Sequence, residues 1–357
     1  VLRLSDGRVR VAEVMKVAVV GGGSFGTVMA NIAAGNGYPV SFWMRSDSLA
    51  AAINRDHVNE SYLPGYVLNE RVVATHDMAA AVSGAQLIFV AVPSSSFRAV
   101  VSELVKSADP GAMFVSTTKG IEAGSFLLMS QILGELAPES PIGVLSGPNL
   151  AKEIAAQQLT GTVIASADLE VRDAVQTVLK SRYFRVYTND DMFGVELGGS
   201  LKNIYAIVAG MAAALGMGHN TNSMLVTRGL TEMARFGRSL GADPMTFLGL
   251  SGVGDLVVTC SSPLSRNYRL GYALGLGQTI DAATKEIGQV VEGVNTVRLV
   301  KKRAEELGIY MPLASGLYSA LFEGASLDAI ISSLMAGEQA LDVEFAAQDD
   351  KQIGSSV

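Results

Sequence analysis

Lys202 is the residue whose surroundings in this sequence point most directly to chemistry. It stands beside Asn203 within residues 193–217, where nearly every other side chain is apolar or small. A helix of this composition is typical of a protein interior, and burial of an ammonium group pulls its pKa down toward the range useful for proton transfer. The alternative is a lysine whose aliphatic stem packs in the core while its charged end reaches water. Taken alone, the residue leaves both interpretations open.

A glycine pattern near the N-terminus predicts a nucleotide site. Gly21, Gly23 and Gly26 follow the apolar run 17–20 and precede a helical pattern. In this context the first glycine permits a tight turn, the second lets the backbone approach a pyrophosphate, and the third allows close packing of helix on strand. The helix N-terminus then offers free N–H groups and a positive dipole end to the phosphates. A nicotinamide cofactor together with a buried lysine predicts redox chemistry at a carbonyl group.

The end of the second predicted strand indicates which dinucleotide binds. An acidic residue there would bind the ribose 2′-hydroxyl of NAD and repel the 2′-phosphate of NADP. This chain has Arg45 at that point, and the nearest acid, Asp47, comes two residues later. A guanidinium group suits a phosphate and can stack on adenine. We therefore predict that NADP(H) is accepted and preferred; the alternative is that Arg45 is an ordinary solvated loop residue.

Three other segments combine small residues with isolated polar groups. Lys119 follows a predicted strand, and the segment 146–151 follows the next strand and opens a helix. In the C-terminal half, 252–255 precedes 265–267 by what we expect to be one short loop. Each segment by itself is compatible with ordinary turn chemistry. Together their charged, amide and hydroxyl groups suit a small phosphorylated carbonyl compound, with 265–267 as a cradle for the phosphate dianion.

Composition excludes several classes of protein. The chain has 357 residues, of which 49% are hydrophobic and 17% charged, which argues against disorder and for extensive burial. The net charge of −7 disfavours a nucleic-acid surface, so positive groups for an anionic substrate must be gathered locally. Cys260 is the only cysteine, which excludes an intramolecular disulfide and fits a reducing compartment; we expect a packed thiol in a cytoplasmic protein.

Two further classes receive no support. The longest apolar run, 204–218, is shorter than the roughly 20 residues that a membrane span requires, so we interpret it as part of a core helix. No secretory signal is recognised at the N-terminus. No metal site is predicted either.

Alternating patterns predict an α/β fold followed by helices. Short β-rich runs, several of them continuously apolar, alternate with helical patterns up to about residue 188, which predicts a Rossmann-type doubly wound parallel sheet with helices on both faces. The predicted strands are 16–21, 40–44, 72–75, 87–92, 113–117, 142–145, 162–165 and 184–187. The predicted helices between them include 27–34, 97–106, 126–136 and 169–180. Beyond residue 190 only helices are predicted, at 191–217, 220–240, 266–275, 294–308, 312–323 and 327–336.

These patterns divide the chain into two domains, for which its length suffices. We place a dinucleotide-binding domain at 15–190 and an all-helical substrate domain at 191–345. The boundary at 188–191 carries no flexible linker, so the two domains are expected to pack together. Residues 1–14 are interpreted as an N-terminal extension and 346–357 as a polar tail.

The motifs resemble a known family. From residue 15 to about residue 345 the chain resembles the bacterial NAD(P)-dependent glycerol-3-phosphate dehydrogenases. The resemblance is carried by Gly-Gly-Gly-Ser-Phe-Gly at 21–26, Thr-Lys-Gly at 118–120, Ser-Gly-Pro-Asn-Leu-Ala at 146–151, Gly-Ser-Leu-Lys-Asn-Ile-Tyr-Ala-Ile-Val-Ala-Gly at 199–210, Gly-Val-Gly-Asp-Leu-Val-Val-Thr-Cys at 252–260, Ser-Arg-Asn at 265–267 and Gln-Val-Val-Glu-Gly at 289–293. The order and joint occurrence of these motifs are much more specific than the glycine pattern.

The resemblance implies a fold, a reaction and an assembly. The fold would be a Rossmann domain joined to a helical domain of the 6-phosphogluconate-dehydrogenase type. The reaction would interconvert dihydroxyacetone phosphate and sn-glycerol 3-phosphate with NADP(H) or NAD(H), supplying the backbone of phospholipids. The assembly would be a homodimer.

The resemblance also assigns roles by position. It implies that Lys202 is the proton donor and acceptor. The residues implied to line the substrate are Lys119, Gly147, Asn149, Lys202, Asp255, Ser265, Arg266 and Asn267. The cofactor contacts, together with the three glycines, are implied to be Ser24, Phe25, Arg45, Lys119, Ala151, Arg266, Val290 and Glu292. Asn149 stands where Ser or Thr is common, and Ser200 where Ala or Thr is usual.

The mechanism expected from these assignments is hydride transfer to a ketone carbon. Lys202 would protonate the developing alkoxide, and Lys119 would stabilise its charge. Asp255 would orient a lysine or a substrate hydroxyl rather than react itself.

Two rival functions fit part of the sequence. β-Hydroxyacid dehydrogenases and ketopantoate reductase pair a Rossmann domain with helices and use a helix-borne lysine, but their substrates carry carboxylates and no phosphate. A non-catalytic NADPH sensor would have no evident use for Lys119, Lys202 and Arg266.

Replacing Arg45 with Asp should raise the Michaelis constant for NADPH far more than that for NADH. The reason is that the substitution exchanges a phosphate-binding cation for a repelling anion. Steady-state kinetics with both coenzymes measure the two constants. Equal effects on both would refute the assignment.

Overall fold

The computed structural model describes residues 14–336, together with the two-residue strands Leu2–Arg3 (β1) and Val9–Arg10 (β2), which pair antiparallel. Most of the predicted N-terminal extension and the whole predicted tail at 346–357 lie outside the described residues.

One eight-stranded sheet forms the N-terminal half. Its strands are Val17–Val20 (β3), Val40–Trp43 (β4), Val72–Thr75 (β5), Leu87–Val90 (β6), Met113–Ser116 (β7), Ile142–Ser146 (β8), Thr160–Ala165 (β9) and Phe184–Asn189 (β10). The spatial order is β10-β9-β8-β7-β6-β3-β4-β5. Every strand corresponds to one predicted from an apolar run, and the α/β fold class is confirmed.

The sheet is not parallel throughout, and on this point the prediction was wrong. All neighbouring strands run parallel except β8 and β9, which pair antiparallel with Leu145 opposite Ile164. The physical reason lies in the connection. Only the five-residue helix Ala151–Ala155 (α6) and short loops join β8 to β9, whereas a parallel crossover normally uses a longer helix that returns across the sheet face.

Helices cover both faces of this sheet. They are Ser24–Gly35 (α1), Asp47–Asp56 (α2), Met78–Val82 (α3), Ser94–Leu104 (α4), Met129–Leu136 (α5), α6 and Leu169–Leu179 (α7). Side chains alternate along the strands: Val17 and Val19 face a core shared with α1 and α7, while Ala18 and Val20 face a core shared with α3, α4 and α5. This period of two is expected for a sheet buried on both sides.

The described residues beyond β10 contain helices and no strand, as predicted. The helices are Met192–Ala214 (α8), His219–Ser239 (α9), Asp255–Ser261 (α10), Arg266–Gly275 (α11), Ile280–Ile287 (α12), Glu292–Leu307 (α13), Pro312–Phe322 (α14) and Leu327–Ala336 (α15), with a 3₁₀ turn at Pro244–Leu248 and a π turn at Leu250–Gly254. The single short loop expected between 252–255 and 265–267 was wrong, because α10 fills most of that interval. Within the part of the chain that the structure describes, no helix has the length and apolar character needed to cross a bilayer.

The helix α8 is the central element of the helical half. Eighteen of its residues are buried, which explains its apolar composition. It meets α11 backbone to backbone: a Cβ on Gly271 would collide with the carbonyl oxygen of Ile207, and a Cβ on Gly210 with that of Tyr268. Glycines at these two positions therefore fix how closely the segment 265–267 approaches α8.

Replacing Gly271 with Ala should destabilise the protein by about 1–3 kcal/mol or more, because the added methyl group has no space between α8 and α11. Gly134, in α5, is the matched control, since a Cβ there meets no other atom within 4 Å. Gly134→Ala should be neutral or stabilising by up to about 1 kcal/mol through its higher helix propensity. Urea unfolding measures both free energies. Similar values for the two variants would contradict the proposed backbone contact.

Candidate active site

A buried carboxylate joins two lysines that come from different parts of the chain. Asp255, the first residue of α10, is 1% exposed. Its Oδ2 accepts a hydrogen bond of 2.5 Å from the Nζ of Lys119, which follows β7, and its Oδ1 accepts one from the Nζ of Lys202 in α8. Three segments that are distant in sequence thus converge on one carboxyl group.

The environment of Lys202 decides between the two interpretations of this residue. Lys202 is 7% exposed, and its Nζ also donates to the hydroxyl oxygen of Thr259 at 2.6 Å. The ammonium group is therefore held inside the protein rather than extended to water. The pKa of Lys202 is lowered to about 7, mainly by burial; the carboxylate of Asp255 opposes this shift and the positive charge of Lys119 adds to it. Such an amine can gain or lose a proton near neutrality.

Lys119 lies on the solvent side of the same carboxylate. Its side chain is 23% exposed, and its Nζ also donates to the carbonyl oxygen of Gly147 at 3.1 Å. The next residue, Gly120, donates its N–H to the hydroxyl of Ser200 in α8 at 2.9 Å. These contacts fix the segment after β7 against the helix that carries Lys202.

Two polar side chains near Lys119 have unpartnered oxygens among the described residues. The Nδ2 of Asn149 donates to the hydroxyl of Thr162 at 2.8 Å, but its Oδ1 is buried without a partner. The Oγ of Ser146 is likewise buried without a partner. It lies 2.5 Å from the position that a Cβ on Gly199 would occupy. The side-chain oxygen of Asn149, which stands where Ser or Thr is common in the family, is therefore free to accept a hydrogen bond.

All three side chains in the segment 265–267 form hydrogen bonds within the helical half of the protein. The Oγ of Ser265 accepts from the N–H of Tyr268 at 3.2 Å and caps α11. Asn267 is buried; its Nδ2 donates to Asn203 Oδ1 at 2.9 Å, and its Oδ1 accepts from the N–H of Gly293 at 3.0 Å. Arg266 is exposed and donates to the carbonyl oxygen of Val290 at 2.8 Å. The guanidinium group is therefore the member of this segment most open to an anion.

The glycine loop fits a dinucleotide pyrophosphate. Cβ atoms on Gly21 and Gly26 would collide with the carbonyl oxygens of Ala91 and Gly21, so the turn and the packing of α1 require glycine. A Cβ on Gly23 would meet nothing within 4 Å, and Gly23 starts α1 without any side-chain cap. The first N–H groups of this twelve-residue helix are thus uncapped beside open space, which suits phosphate oxygens.

The end of β4 presents a cation without a partner among the described residues. Arg45 is exposed there. The neighbouring Asp47 forms a 2.9 Å ion pair with His76, which follows β5. Strands β6 and β3 separate β4 from β7, so the ends of β4 and β7 lie about 14 Å apart along the sheet edge. The structure therefore does not bring Arg45 to the lysines but sets it at the other end of the same edge.

The remaining predicted contacts lie between these two ends or beside them. Ser24 and Phe25 are partly buried in the first turn of α1, and Ala151 opens α6. Val290 is 46% exposed and precedes Glu292, the first residue of α13. The carboxylate of Glu292 contacts Ser94 at the start of α4.

Comparison with known proteins identifies the family of this chain. The family model for the N-terminus of NAD-dependent glycerol-3-phosphate dehydrogenase matches residues 16–172, and that for its C-terminus matches residues 191–332. A glycerol-3-phosphate dehydrogenase [NAD(P)+] from Azotobacter vinelandii is 57% identical over 329 residues, covering 92% of this chain and 96% of the relative. The chain belongs to the NAD-dependent glycerol-3-phosphate dehydrogenase family. The resemblance seen in the motifs is thereby confirmed.

Solved structures agree with this assignment. A glycerol-3-phosphate dehydrogenase from Coxiella burnetii superposes with a TM-score of 0.87 at 36% identity, covering 91% of this chain and 99% of that one. A ketopantoate reductase from Ralstonia eutropha reaches a TM-score of 0.54 at 16% identity over 86% of this chain, which shows a shared fold alone. As a member of the dehydrogenase family, the chain is an oxidoreductase that uses NAD or NADP.

Sequence reasoning missed several side chains that contact the site residues of this dehydrogenase. Thr259 lies within the motif at 252–260, but the sequence analysis assigns it no role. Its spacing of four residues from Asp255 indicates that the two side chains share one face of a helix. Ser94 and Ser146 each follow a predicted strand at its carboxyl end, yet nothing in the sequence separates them from turn residues. Cys260, by contrast, is the packed thiol that was predicted: it is 1% exposed, and burial raises its pKa to about 12.

Replacing Asp255 with Asn should lower the pKa of Lys202 below its value of about 7, because the carboxylate favours the ammonium form. If oxidation of glycerol 3-phosphate needs the neutral amine, its rate rises with pH through about 7 in the wild type and through a lower pH in the variant. We also expect a rate loss on the order of 10²-fold. The measurement is the pH profile of kcat/KM.

The control is Asp281→Asn, because Asp281 is exposed in the first turn of α12. Removing one partner of a buried ion pair costs about 3–5 kcal/mol of stability, so unfolding is measured in parallel. A profile that keeps the wild-type midpoint in folded Asp255→Asn protein would contradict the coupling.

Proposed function

We propose that this protein catalyses the reversible reduction of dihydroxyacetone phosphate to sn-glycerol 3-phosphate with NADPH or NADH. Membership of the family supports an NAD(P)-dependent glycerol-3-phosphate dehydrogenase activity. One observation supports the chemistry: the carboxylate of Asp255 holds the two ammonium groups of Lys119 and Lys202 behind the sheet edge that carries the glycine loop. We further propose that reduction is the physiological direction and supplies glycerophospholipid synthesis in the cytoplasm.

The cofactor would lie along the carboxyl edge of the sheet. The uncapped N–H groups at the start of α1 would bind its pyrophosphate, Arg45 its 2′-phosphate, and the segment from Val290 to Glu292 its nicotinamide end. When bound, it supplies the hydride. The open space at Gly23 supports this placement, as does the exposed guanidinium of Arg45, which has no partner among the described residues.

Lys202 is assigned the proton transfer. In its ammonium form it would donate a proton to the oxygen of the reacting carbonyl, and in the reverse direction the neutral amine would remove that proton. The hydrogen bonds from its Nζ to Asp255 and Thr259 orient the group. A pKa of about 7 keeps both protonation states populated at neutral pH.

Lys119 would have an electrostatic role in the reaction, and Asp255 would position the two lysines. The partly exposed ammonium of Lys119 would stabilise negative charge that develops on the substrate oxygen. Asp255 is bound to both lysines, so it serves to position them and is not itself a proton donor. Together the three groups carry a net positive charge when Lys202 is protonated.

Substrate recognition would rest on the groups that the fold leaves free. Arg266 is exposed next to the segment that bears Glu292, and its guanidinium would bind the phosphate, with Ser265 and Asn267 fixing its helix. The free oxygen of Asn149 and the backbone of Gly147 would contact the substrate hydroxyl. Phosphate binding far from the ketone would supply the energy that positions it.

We also propose a division of the chain into two domains and a dimeric assembly. The last strand ends at Asn189 and α8 begins at Met192, which supports a dinucleotide-binding unit at 15–190 and a helical unit at 191–345. We also propose a homodimer, as the family resemblance implies.

Replacing Lys202 with Ala should lower kcat for reduction of dihydroxyacetone phosphate by on the order of 10²-fold or more, because the proton donor is lost. The assay follows NADPH or NADH oxidation at 340 nm. Binding of NADPH, followed through the emission of Trp43, the only tryptophan, should stay nearly unchanged.

Lys106→Ala is the control, since Lys106 is an exposed lysine paired with Glu103. Turnover like that of the wild type in Lys202→Ala would remove Lys202 from the mechanism. Turnover of ketopantoate or another ketoacid in place of dihydroxyacetone phosphate would favour the rival reductases, and binding of NADPH without any turnover would favour the sensor.

A further inference from the structure

A contact between the two halves of the chain occurs at the start of α4. Both oxygens of Glu292, the first residue of α13, are bound there: Oε1 accepts from the backbone N–H of Ser94 at 3.2 Å, and Oε2 accepts from the hydroxyl of Ser94 at 2.6 Å. Ser94 is 7% exposed and follows strand β6, so this bidentate contact is largely shielded from water.

Local sequence does not provide α4 with a cap of its own. Its N-cap residue is Pro93, which has no side-chain group that can accept a hydrogen bond from the first turn. Glu292, 198 residues later in the chain, supplies an acceptor there instead. A carboxylate at a helix N-terminus is stabilised both by the uncapped N–H groups and by the helix dipole.

The segment around Glu292 is also attached to the helical half. The carbonyl oxygen of Val290 accepts from Arg266, and the N–H of Gly293 donates to Asn267. A Cβ on Gly293 would stand 2.6 Å from Asn267 Oδ1, so the backbone lies flat against α11. Residues 290–293 are therefore fixed on one side to α11 and on the other to Ser94.

The same contact adjoins the lysine pair. A Cβ on Gly120 would stand 2.6 Å from the Cβ of Ser94 and 3.4 Å from Oε2 of Glu292. Gly120 directly follows Lys119 and bonds to Ser200 of α8. The contact between Ser94 and Glu292 therefore packs against the backbone of the residue that follows Lys119.

We propose that Ser94 is a positioning residue for the cofactor: by binding both oxygens of Glu292 it holds residues 290–293 in the place where the nicotinamide end binds. This inference rests on the proposed function, which assigns the segment from Val290 to Glu292 to the nicotinamide end of the cofactor. Ser94 acts through Glu292 and is not assigned a contact with the substrate.

The test compares four variants with the wild type. Ser94→Ala removes the hydroxyl donor, Glu292→Gln removes the charge, and the double variant removes both. Ser95→Ala is the matched control, because Ser95 is an exposed serine in the same helical turn and its hydroxyl forms no hydrogen bond with the described residues. Dissociation constants for NADPH and NADH are measured by energy transfer from Trp43 to the reduced nicotinamide, and KM and kcat are measured separately.

We expect Ser94→Ala to weaken the binding of both coenzymes by about 10-fold, the usual effect of a hydrogen bond to a charged group. The effect should be the same for NADPH and NADH, because the contact lies far from Arg45. KM should rise while kcat at saturation changes less than about twofold. The double variant should bind as weakly as Glu292→Gln alone, since the two residues act as a unit.

Other results overturn the inference. Unchanged binding in Ser94→Ala, or an equal loss in Ser95→Ala, would remove the positioning role. Tighter binding would mean that the cofactor must break the contact, which is the opposite of the proposal. A variant that is partly unfolded lowers kcat without raising KM, so the split between the two constants separates folding from positioning. Absence of dinucleotide binding in the wild type would instead refute the proposed function.

Discussion

The arrangement of this protein depends on one buried carboxylate. Asp255 is almost inaccessible, and without it the ammonium groups of Lys119 and Lys202 would repel each other in a poorly solvated space. Each of the three residues belongs to a different element: a loop after β7, the middle of α8 and the start of α10. The sheet, the central helix and the π turn before α10 must therefore all be in place before the charges can neutralise one another. The ion pairs of the active site therefore form only when the two halves of the chain are packed together.

Close backbone contacts explain why α8 has so many small residues. Gly199 lies against Ser146 at the end of β8, while Gly210 and Gly271 bring the backbones of α8 and α11 together. Larger side chains at these points would push α8 away from the sheet or from α11, and Lys202 would lose its partners. The apolar character of the helix follows from burial, but its glycines follow from the distances that the site requires.

The parts of the structure that sequence could predict are those governed by local pattern. Short β-rich runs, several of them continuously apolar, identified all eight strands of the sheet, whereas the surroundings of Lys202 left open whether its ammonium group is buried. The antiparallel pairing of β8 with β9 was not predictable in this way, because strand direction depends on the path of the connection and not on strand composition. Thr259 and Ser94 were missed for a related reason: their partners, Lys202 and Glu292, are distant in sequence, and a hydroxyl residue carries no sign of which long-range contact it makes.

Charge explains how an acidic chain can hold an anionic substrate. The protein carries a net charge of −7, yet Lys119 and Lys202 meet at one compensating carboxylate, and Arg266 is exposed beside Val290. An anion bound beside Lys119 would favour the charged form of Lys202 and raise its pKa above the value of about 7 set by burial. Substrate binding would in this way place a proton on the amine before it is needed. Transfer of that proton to the substrate oxygen would leave the amine neutral, so it would take up a proton from solvent before the next turnover. The same burial that makes the lysine costly to charge makes its protonation state responsive to the ligand.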